Sequence, residues 1–250
     1  MSKKPAVIKS KLLSEYPEIV YGMSTKLGGY DNPPYYNNLS YYVGDFRDIV
    51  QTNREEFFDK LGINPNRLAI PQQIQGDNIE VIDEPGTYSD ADALITEETN
   101  IYLVVSVADC LPVAVYDKSK GIIANIHSGW RGTEKKIVTK TINKMMTKFG
   151  CKPENMVVFI GPGINKHNFE VGAEVAELFD KKYVENSGGK FYLDFAGNVK
   201  DQLKELGIVE DNIECFDMCT YDEEEYLHSF RRDKTKSGRM FSIIGLKKVK

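Results

Sequence analysis

The chain has 250 residues, 41% of them hydrophobic and 28% charged, with a net charge of −5 and a sequence pI near 5.4. These are globular proportions that exclude a disordered chain, and the acidic balance argues against nonspecific nucleic-acid binding, which needs a basic footprint. No run approaches the roughly 18 apolar residues that span a bilayer, and the basic stretch Met1–Lys11 has no apolar core behind it, so a cytoplasmic protein with neither anchor nor signal peptide is expected.

The length is at the upper end of what one hydrophobic core serves. The Gly and Pro clusters Gly28-Gly29, Pro33-Pro34 and Gly188-Gly189 are too short to be linkers, so residues 1–250 read as one domain. In chain order, Asp48 is placed to cap a helix that runs to Leu61 and stops at Gly62. Ile101–Val107, Val113–Tyr116 and Ile122–Ile126 are β-branched, apolar runs expected to be buried strands, with turns at Asp117–Lys120 and around Pro112. Thr133–Phe149 has a helical stripe ending at Gly150, and Met156–Ile160 reads as another buried strand closed by Gly161-Pro162-Gly163. Gly172–Tyr183 and Val199–Leu206 read as amphipathic helices, and Ile213–Asp217 and Met240–Ile244 as late strands. The class is α/β or α+β with a mixed sheet.

The four cysteines Cys110, Cys151, Cys215 and Cys219 form no disulfide framework in a chain this long, so any with special chemistry is a nucleophile or a metal ligand. There are only three histidines, His127, His167 and His228. His127 ends an apolar strand and opens the turn Ser128-Gly129-Trp130-Arg131-Gly132 before a helix, where free backbone N–H groups suit an anion. A satisfied structural histidine is an equal expectation at such a position. Cys110 follows Ala108-Asp109 at another strand end, with Leu111-Pro112 expected to stop that strand; alone it reads as a small buried hydrophobe. If the two strands are neighbours, Cys110 and His127 meet at one sheet end, as a nucleophile with its base or as two ligands of a zinc site. Downstream, Arg231, Arg232 and Arg239 fall within nine residues and have the fork geometry to hold phosphate, against the plainer reading of a solvated loop.

Val107-Ala108-Asp109-Cys110-Leu111-Pro112 followed by His127-Ser128-Gly129-Trp130-Arg131-Gly132 resembles the signature of the YfiH family, also labelled laccase-like. Ser24–Gly29, Asn38–Ser40, Val43–Asp45, Asn53-Arg54, Ala91–Leu94, Gly161–Ile164, Phe169–Gly172, Arg231–Asp233 and Ser237–Arg239 are similar to further family blocks, in order, over about residues 22–244. The resemblance implies a layered α/β/β/α sandwich with mixed sheets. It also implies a zinc-dependent enzyme that cleaves adenosine, inosine or methylthioadenosine with phosphate, in some members also deaminating adenosine. Its His–Cys–His metal trio maps onto Cys110 and His127 as second and third members. The first member falls in Gln73-Ile74-Gln75-Gly76, where Gln75 stands in place of histidine, and an amide oxygen is a poor zinc ligand. Three accounts follow: Gln75 orients a water or the substrate beside a weakly held metal; His228 or His167 completes the site; or metal binding is lost. Lys26 is a smaller departure from the family's arginine.

For phosphate the candidates are Arg231, Arg232, Arg239 and then Arg54. Tyr35, Tyr36 and Tyr41 are placed to stack on a base or simply to pack. The expected partners are a purine nucleoside and inorganic phosphate, without nucleic acid or membrane, in a monomer or small homo-oligomer. A multicopper oxidase is set aside, since three histidines cannot build its copper cluster. A metal-independent hydrolase or amidase using Cys110 and His127 stays open, as does a protein that binds a nucleoside or cell-wall precursor without turnover.

Overall fold

A computed structural model describes residues 4–248; residues 1–3 of the basic N-terminal stretch lie outside the described residues. The strands in chain order are β1 (Val7–Ile8), β2 (Ile19–Ser24), β3 (Leu68–Pro71), β4 (Ile79–Val81), β5 (Gly86–Tyr88), β6 (Ala93–Thr96), β7 (Tyr102–Val107) and β8 (Leu111–Asp117). They continue with β9 (Ile122–Ser128), β10 (Met156–Ile160), β11 (Glu170–Val171), β12 (Val184–Ser187), β13 (Lys190–Leu193), β14 (Ile213–Cys215) and β15 (Met240–Leu246). The helices are α1 (Arg47–Leu61), α2 (Trp130–Glu134), α3 (Ile137–Phe149), α4 (Ala173–Ala176), α5 (Phe195–Glu205) and α6 (Phe230–Asp233).

Two six-stranded sheets form, in the orders β1-β2-β15-β7-β3-β5 and β14-β10-β8-β9-β6-β4, with a small third sheet β11-β13-β12. Both large sheets are mixed: β3 runs parallel to β5 and β7, and β10 parallel to β14, while β8 pairs antiparallel with β9 and β10. Both faces of β8 and β9 are covered, which explains why the two strands are buried throughout and mostly apolar. Val113, Val115, Ala124 and Ile126 face α3 and α5. Ala114, Tyr116 and Ile123 face the other sheet, against Met23, Leu103 and Ile244. On the far side of the first sheet, Phe57, Phe58 and Leu61 of α1 cover Val20, Val104 and Ile243. The layers therefore run α/β/β/α, as the resemblance implied. Asn125 ties the sheets together across the central layer, donating to Leu103 O and Ser242 O at 2.9 Å each.

Several element boundaries differ from expectation for identifiable reasons. Helix α1 begins at Arg47 after Phe46, so Asp48 lies inside the first turn instead of capping it. Its polar gap is structural: buried Asn53 accepts from Tyr30 N–H and donates to Tyr36 O and Asn38 O, pinning the Gly28-Gly29 loop. Pro112 does not stop a strand. The chain turns at Asp109, at φ 89, and Leu111-Pro112 opens β8. The helix expected over Thr133–Phe149 is broken at Lys136, at φ 60, because Thr133 O accepts from Lys136 N–H and Gln202 Nε2 instead of continuing the ladder. Of Gly172–Tyr183 only α4 is α-helical; Asp180 accepts from Lys182 N–H and starts a separate 3-10 turn at Lys181–Tyr183. Helix α5 starts earlier than expected, capped by Asp194, which accepts from Gly197 N–H. Gly188 and Gly189, both with positive φ, form the turn of the β12–β13 hairpin. Among the described residues, no helix is long and apolar enough to cross a membrane.

Candidate active site

The β8–β9 pairing places Pro112 opposite His127 and Leu111 opposite Ser128. Cys110 lies one residue before β8 and His127 near the end of β9, so antiparallel register carries both to one end of the sandwich. On β9, Ile123 faces the central layer and Asn125 reaches across it, so His127, in phase with both, turns its ring the same way. Gly129 makes the approach possible: a Cβ there would lie 3.0 Å from Cys110 Sγ and 3.8 Å from His127 Cε1, so any side chain would invade the space beside the sulfur.

Asp92, fully buried just before β6, organises the site. Its carboxylate accepts from the N–H groups of Ile74, Gln75 and Gly76 at 3.2, 3.0 and 2.7 Å. It also meets His127 Nδ1 at 2.8 Å. A carboxylate only accepts, so the ring proton lies on Nδ1 and Nε2 is left for Cys110, its other hydrogen-bond partner. Burial opposes charging of His127, but the Cys110 sulfur and Asp92 outweigh it and push its pKa up to about 9. Burial likewise acts to raise the pKa of Asp92, yet His127 and the Gly76 N–H hold that carboxyl below the ordinary value.

Gln75 is brought to the same place, on the loop that Asp92 holds, in a left-handed conformation at φ 58. Its Oε1 accepts from Arg131 Nη1 at 3.3 Å, and Arg131 stacks on Trp130 at 4.3 Å. The donor set beside Cys110 is therefore one thiol, one imidazole and an amide oxygen already facing a guanidinium. That is two good zinc donors where a catalytic site uses three, and the residues present do not make a complete zinc site.

Residues 20–247 match a family model described as "Multi-copper polyphenol oxidoreductase laccase". The chain belongs to this YfiH/laccase-like family. It is 33% identical to a protein of Bacteroides thetaiotaomicron named purine nucleoside phosphorylase, over 99% of both chains. It is 36% identical to one of Shigella flexneri named purine nucleoside phosphorylase YfiH, over 89% of this chain and 92% of that one. Among solved structures it is similar to a hypothetical protein YfiH of Bacillus licheniformis, at a TM-score of 0.91 and 27% identity over 98% and 97% of the two chains. YlmD of Geobacillus stearothermophilus gives the same TM-score at 26% identity over 99% and 98%.

In this YfiH-like chain the arginines divide. Arg232 commits its guanidinium to its own chain, donating to Thr220 O, Tyr221 O, Leu227 O and both carboxylate oxygens of Asp233. All five N–H groups are engaged, which removes it as a phosphate clamp. Arg54 lies in the α1 layer, donating to Leu39 O and stacked on Tyr41 and Phe241. Arg231 donates from its backbone N–H to Asp109 at 2.6 Å, while its side chain reaches Glu170 O and the Phe169 ring. Arg239 uses only Nη1, on Ser237 O and Gly238 O. Burial lowers its pKa while the nearby Asp109 and Cys110 act to raise it, so its guanidinium lies within electrostatic range of both.

Neither remaining histidine completes the site. His228 is buried against Gly238 with both ring nitrogens unpartnered, and His167 pairs with Asp222. Among the described residues, the one cluster of three metal-binding side chains contains neither Cys110 nor His127.

Sequence reasoning missed Asp92, Gln73 and Asp109 as individual site residues. Gln73 clamps the edge of β7 through Ser106, with Oε1 accepting from its N–H at 2.7 Å and Nε2 donating to its carbonyl at 2.9 Å. Asp109 accepts from Thr220 Oγ1 and Arg231 N–H at 2.6 Å each. The available signal was a carboxylate abutting a wholly apolar run, as in Asp92 before Ala93-Leu94-Ile95, where an unpaired charge is not tolerated.

Proposed function

We propose that this chain is a purine nucleoside phosphorylase that converts adenosine, inosine or methylthioadenosine with phosphate into free base and the sugar 1-phosphate. The observation that carries the reading is the line Asp92–His127–Cys110, buried at Asp92 and His127 and half-exposed at the thiol, with the Arg239 charge near it, in a chain whose near-full-length relatives bear that name. In phosphorolysis, phosphate attacks C1′, the C–N bond breaks and the departing purine takes a proton. The Cys110–His127 pair, with the histidine pKa pushed up to about 9, holds a proton at neutral pH for that purpose. Asp92 fixes the ring, and Arg239, with Arg231 on the neighbouring turn, offers positive charge for the phosphate.

Deamination of adenosine is the weaker activity in this proposal. It needs a hydroxide at C6, which a bound metal supplies at neutral pH, and Gln75 leaves the zinc site a ligand short. Gln75→His is expected to raise zinc affinity more than about tenfold, read by competition with a chromogenic chelator; unchanged affinity would show that position 75 does not face the metal. Copper-oxidase chemistry fits poorly, because His127, His167 and His228 stand apart with different partners.

A second reading is favoured by the same line of residues: nucleophile, base and orienting carboxylate make a thiol hydrolase as well. Product analysis of the purified protein with each nucleoside, with and without phosphate, separates the two. Free base appearing only with phosphate is the expected result. Conversion independent of phosphate would favour the hydrolase, and no conversion of any nucleoside would overturn the phosphorylase.

A further inference from the structure

Away from Cys110 and His127, a second group of metal-ligating side chains is already assembled. Cys219 follows β14 and is bridged to Gly163, with Thr220 N–H donating to Gly163 O at 2.9 Å. The segment after Gly163 turns through Asn165 into a 3-10 turn at Lys166–Asn168 that carries His167. Asp222 closes the group from the far side of Cys219. His167 Nε2 and Asp222 Oδ2 are 3.0 Å apart, and the ligand atoms of His167, Cys219 and Asp222 all lie within 4.8 Å of one another.

We propose that His167, Cys219 and Asp222 form a second metal site, separate from Cys110 and His127, that takes a zinc-like divalent transition ion. The donor chemistry selects the ion. One sulfur, one imidazole nitrogen and one carboxylate oxygen suit Zn²⁺ or Co²⁺, whereas Mg²⁺ and Ca²⁺ want oxygen alone. The spacing is close to what an ion requires: metal–ligand distances of about 2.0–2.3 Å put tetrahedral ligands roughly 3.3–3.8 Å apart, so binding needs shifts of about 1 Å or less. Asn165 N–H and Asn168 Nδ2 both donate to Cys219 Sγ, at 3.3 and 3.4 Å, and so fix the position of the sulfur. Asn168 Nδ2 also donates to Asp222 Oδ1 at 2.8 Å and so orients a second ligand. Cys219 is buried while His167 and Asp222 are exposed, which leaves the solvent side open for water as a fourth ligand.

The plainer reading is a surface His–Asp pair over a packed cysteine. It accounts for the 3.0 Å contact but not for two N–H donors converging on the sulfur beside it. An ion here would brace the active site without taking part in it. It would fasten the loop of Thr220, whose hydroxyl donates to Asp109, to the Gly163–Asn168 segment, and Asp109 precedes Cys110.

The test is Co²⁺ titration of the full-length protein carrying Cys110→Ser, so that the thiol beside His127 is silent. One Co²⁺ per chain with a thiolate-to-cobalt absorption band is expected. Adding His167→Ala, Asp222→Asn or Cys219→Ser should weaken binding more than about tenfold, and Cys219→Ser should abolish the band. The two exposed substitutions keep the test independent of the buried one. Zn²⁺ should also raise the melting temperature of the Cys110→Ser protein, and His167→Ala should remove that rise. Absence of a band with Cys110→Ser alone, or a band and affinity unchanged by His167→Ala, overturns the site.

Discussion

A buried carboxylate lies at each end of the β8–β9 hairpin, Asp117 on β8 itself and Asp92 just before the neighbouring β6, and the two use the same chemistry for different purposes. At the turn, Asp117 accepts from Ser119 N–H and Oγ, Lys120 N–H and Lys152 N–H at 2.9–3.0 Å. At the open end, Asp92 also accepts four donors, three from the Ile74–Gly76 loop and one from His127. Both are fully buried, and in both the hydrogen bonds overcome burial and hold the carboxyl below its ordinary value. Three of Asp117's donors lie within three residues and satisfy a turn. Asp92's donors come from 16 to 35 residues away and include the His127 imidazole, which also hydrogen-bonds Cys110. A satisfied buried charge is thus a structural device at one end and a positioning device at the other.

The comparison can be broken first at the reacting groups. Cys110→Ala and His127→Ala are each expected to lower phosphorolysis by about 10²–10⁴-fold; Cys110→Ala should leave the melting temperature nearly unchanged, whereas His127→Ala should lower it, because the buried Asp92 carboxylate loses a partner. A fully active His127→Ala enzyme would remove the pair from the mechanism. Asp92→Asn should reduce kcat by about 10²-fold, since an amide can donate to Nδ1 and favour the wrong tautomer. It should also cost roughly 2–4 kcal/mol of stability in denaturant unfolding, through the lost loop contacts. If Asp92→Asn lowered stability alone, the two ends of the hairpin would be equivalent.

Asp117→Asn should cost about 1–3 kcal/mol with kcat/KM unchanged within about twofold. The smallest effect expected is in its pH dependence. Because the folded pKa of Asp117 is depressed, its contribution is fully present above the ordinary carboxylate value of 3.8 and is lost as pH falls through the lower folded value. The stability gap between wild type and Asp117→Asn should therefore be widest at neutral pH and close in acid. A gap independent of pH would mean that the carboxylate charge contributes nothing there.

Short-range physics made much of this protein legible. The apolar runs of β7 through β10 needed only composition and length, and Gly62 and Gly150 marked the ends of α1 and α3 because both take a left-handed cap. The family blocks around Cys110 and His127 pointed to the candidate site residues, and Gln75 was visible as a single donor that does not fit zinc. What stayed hidden depended on partners remote in sequence. The break at Lys136 rests on Gln202, and Arg232 is spent on carbonyls of the loop before it. Asp92 acquires its role only when the Ile74–Gly76 loop folds over it. His167, Cys219 and Asp222 become a cluster only because Gly163 and Cys219 lie side by side. A sequence encodes which groups must be buried or capped; which distant group satisfies a buried charge is decided by the register in which two sheets pack.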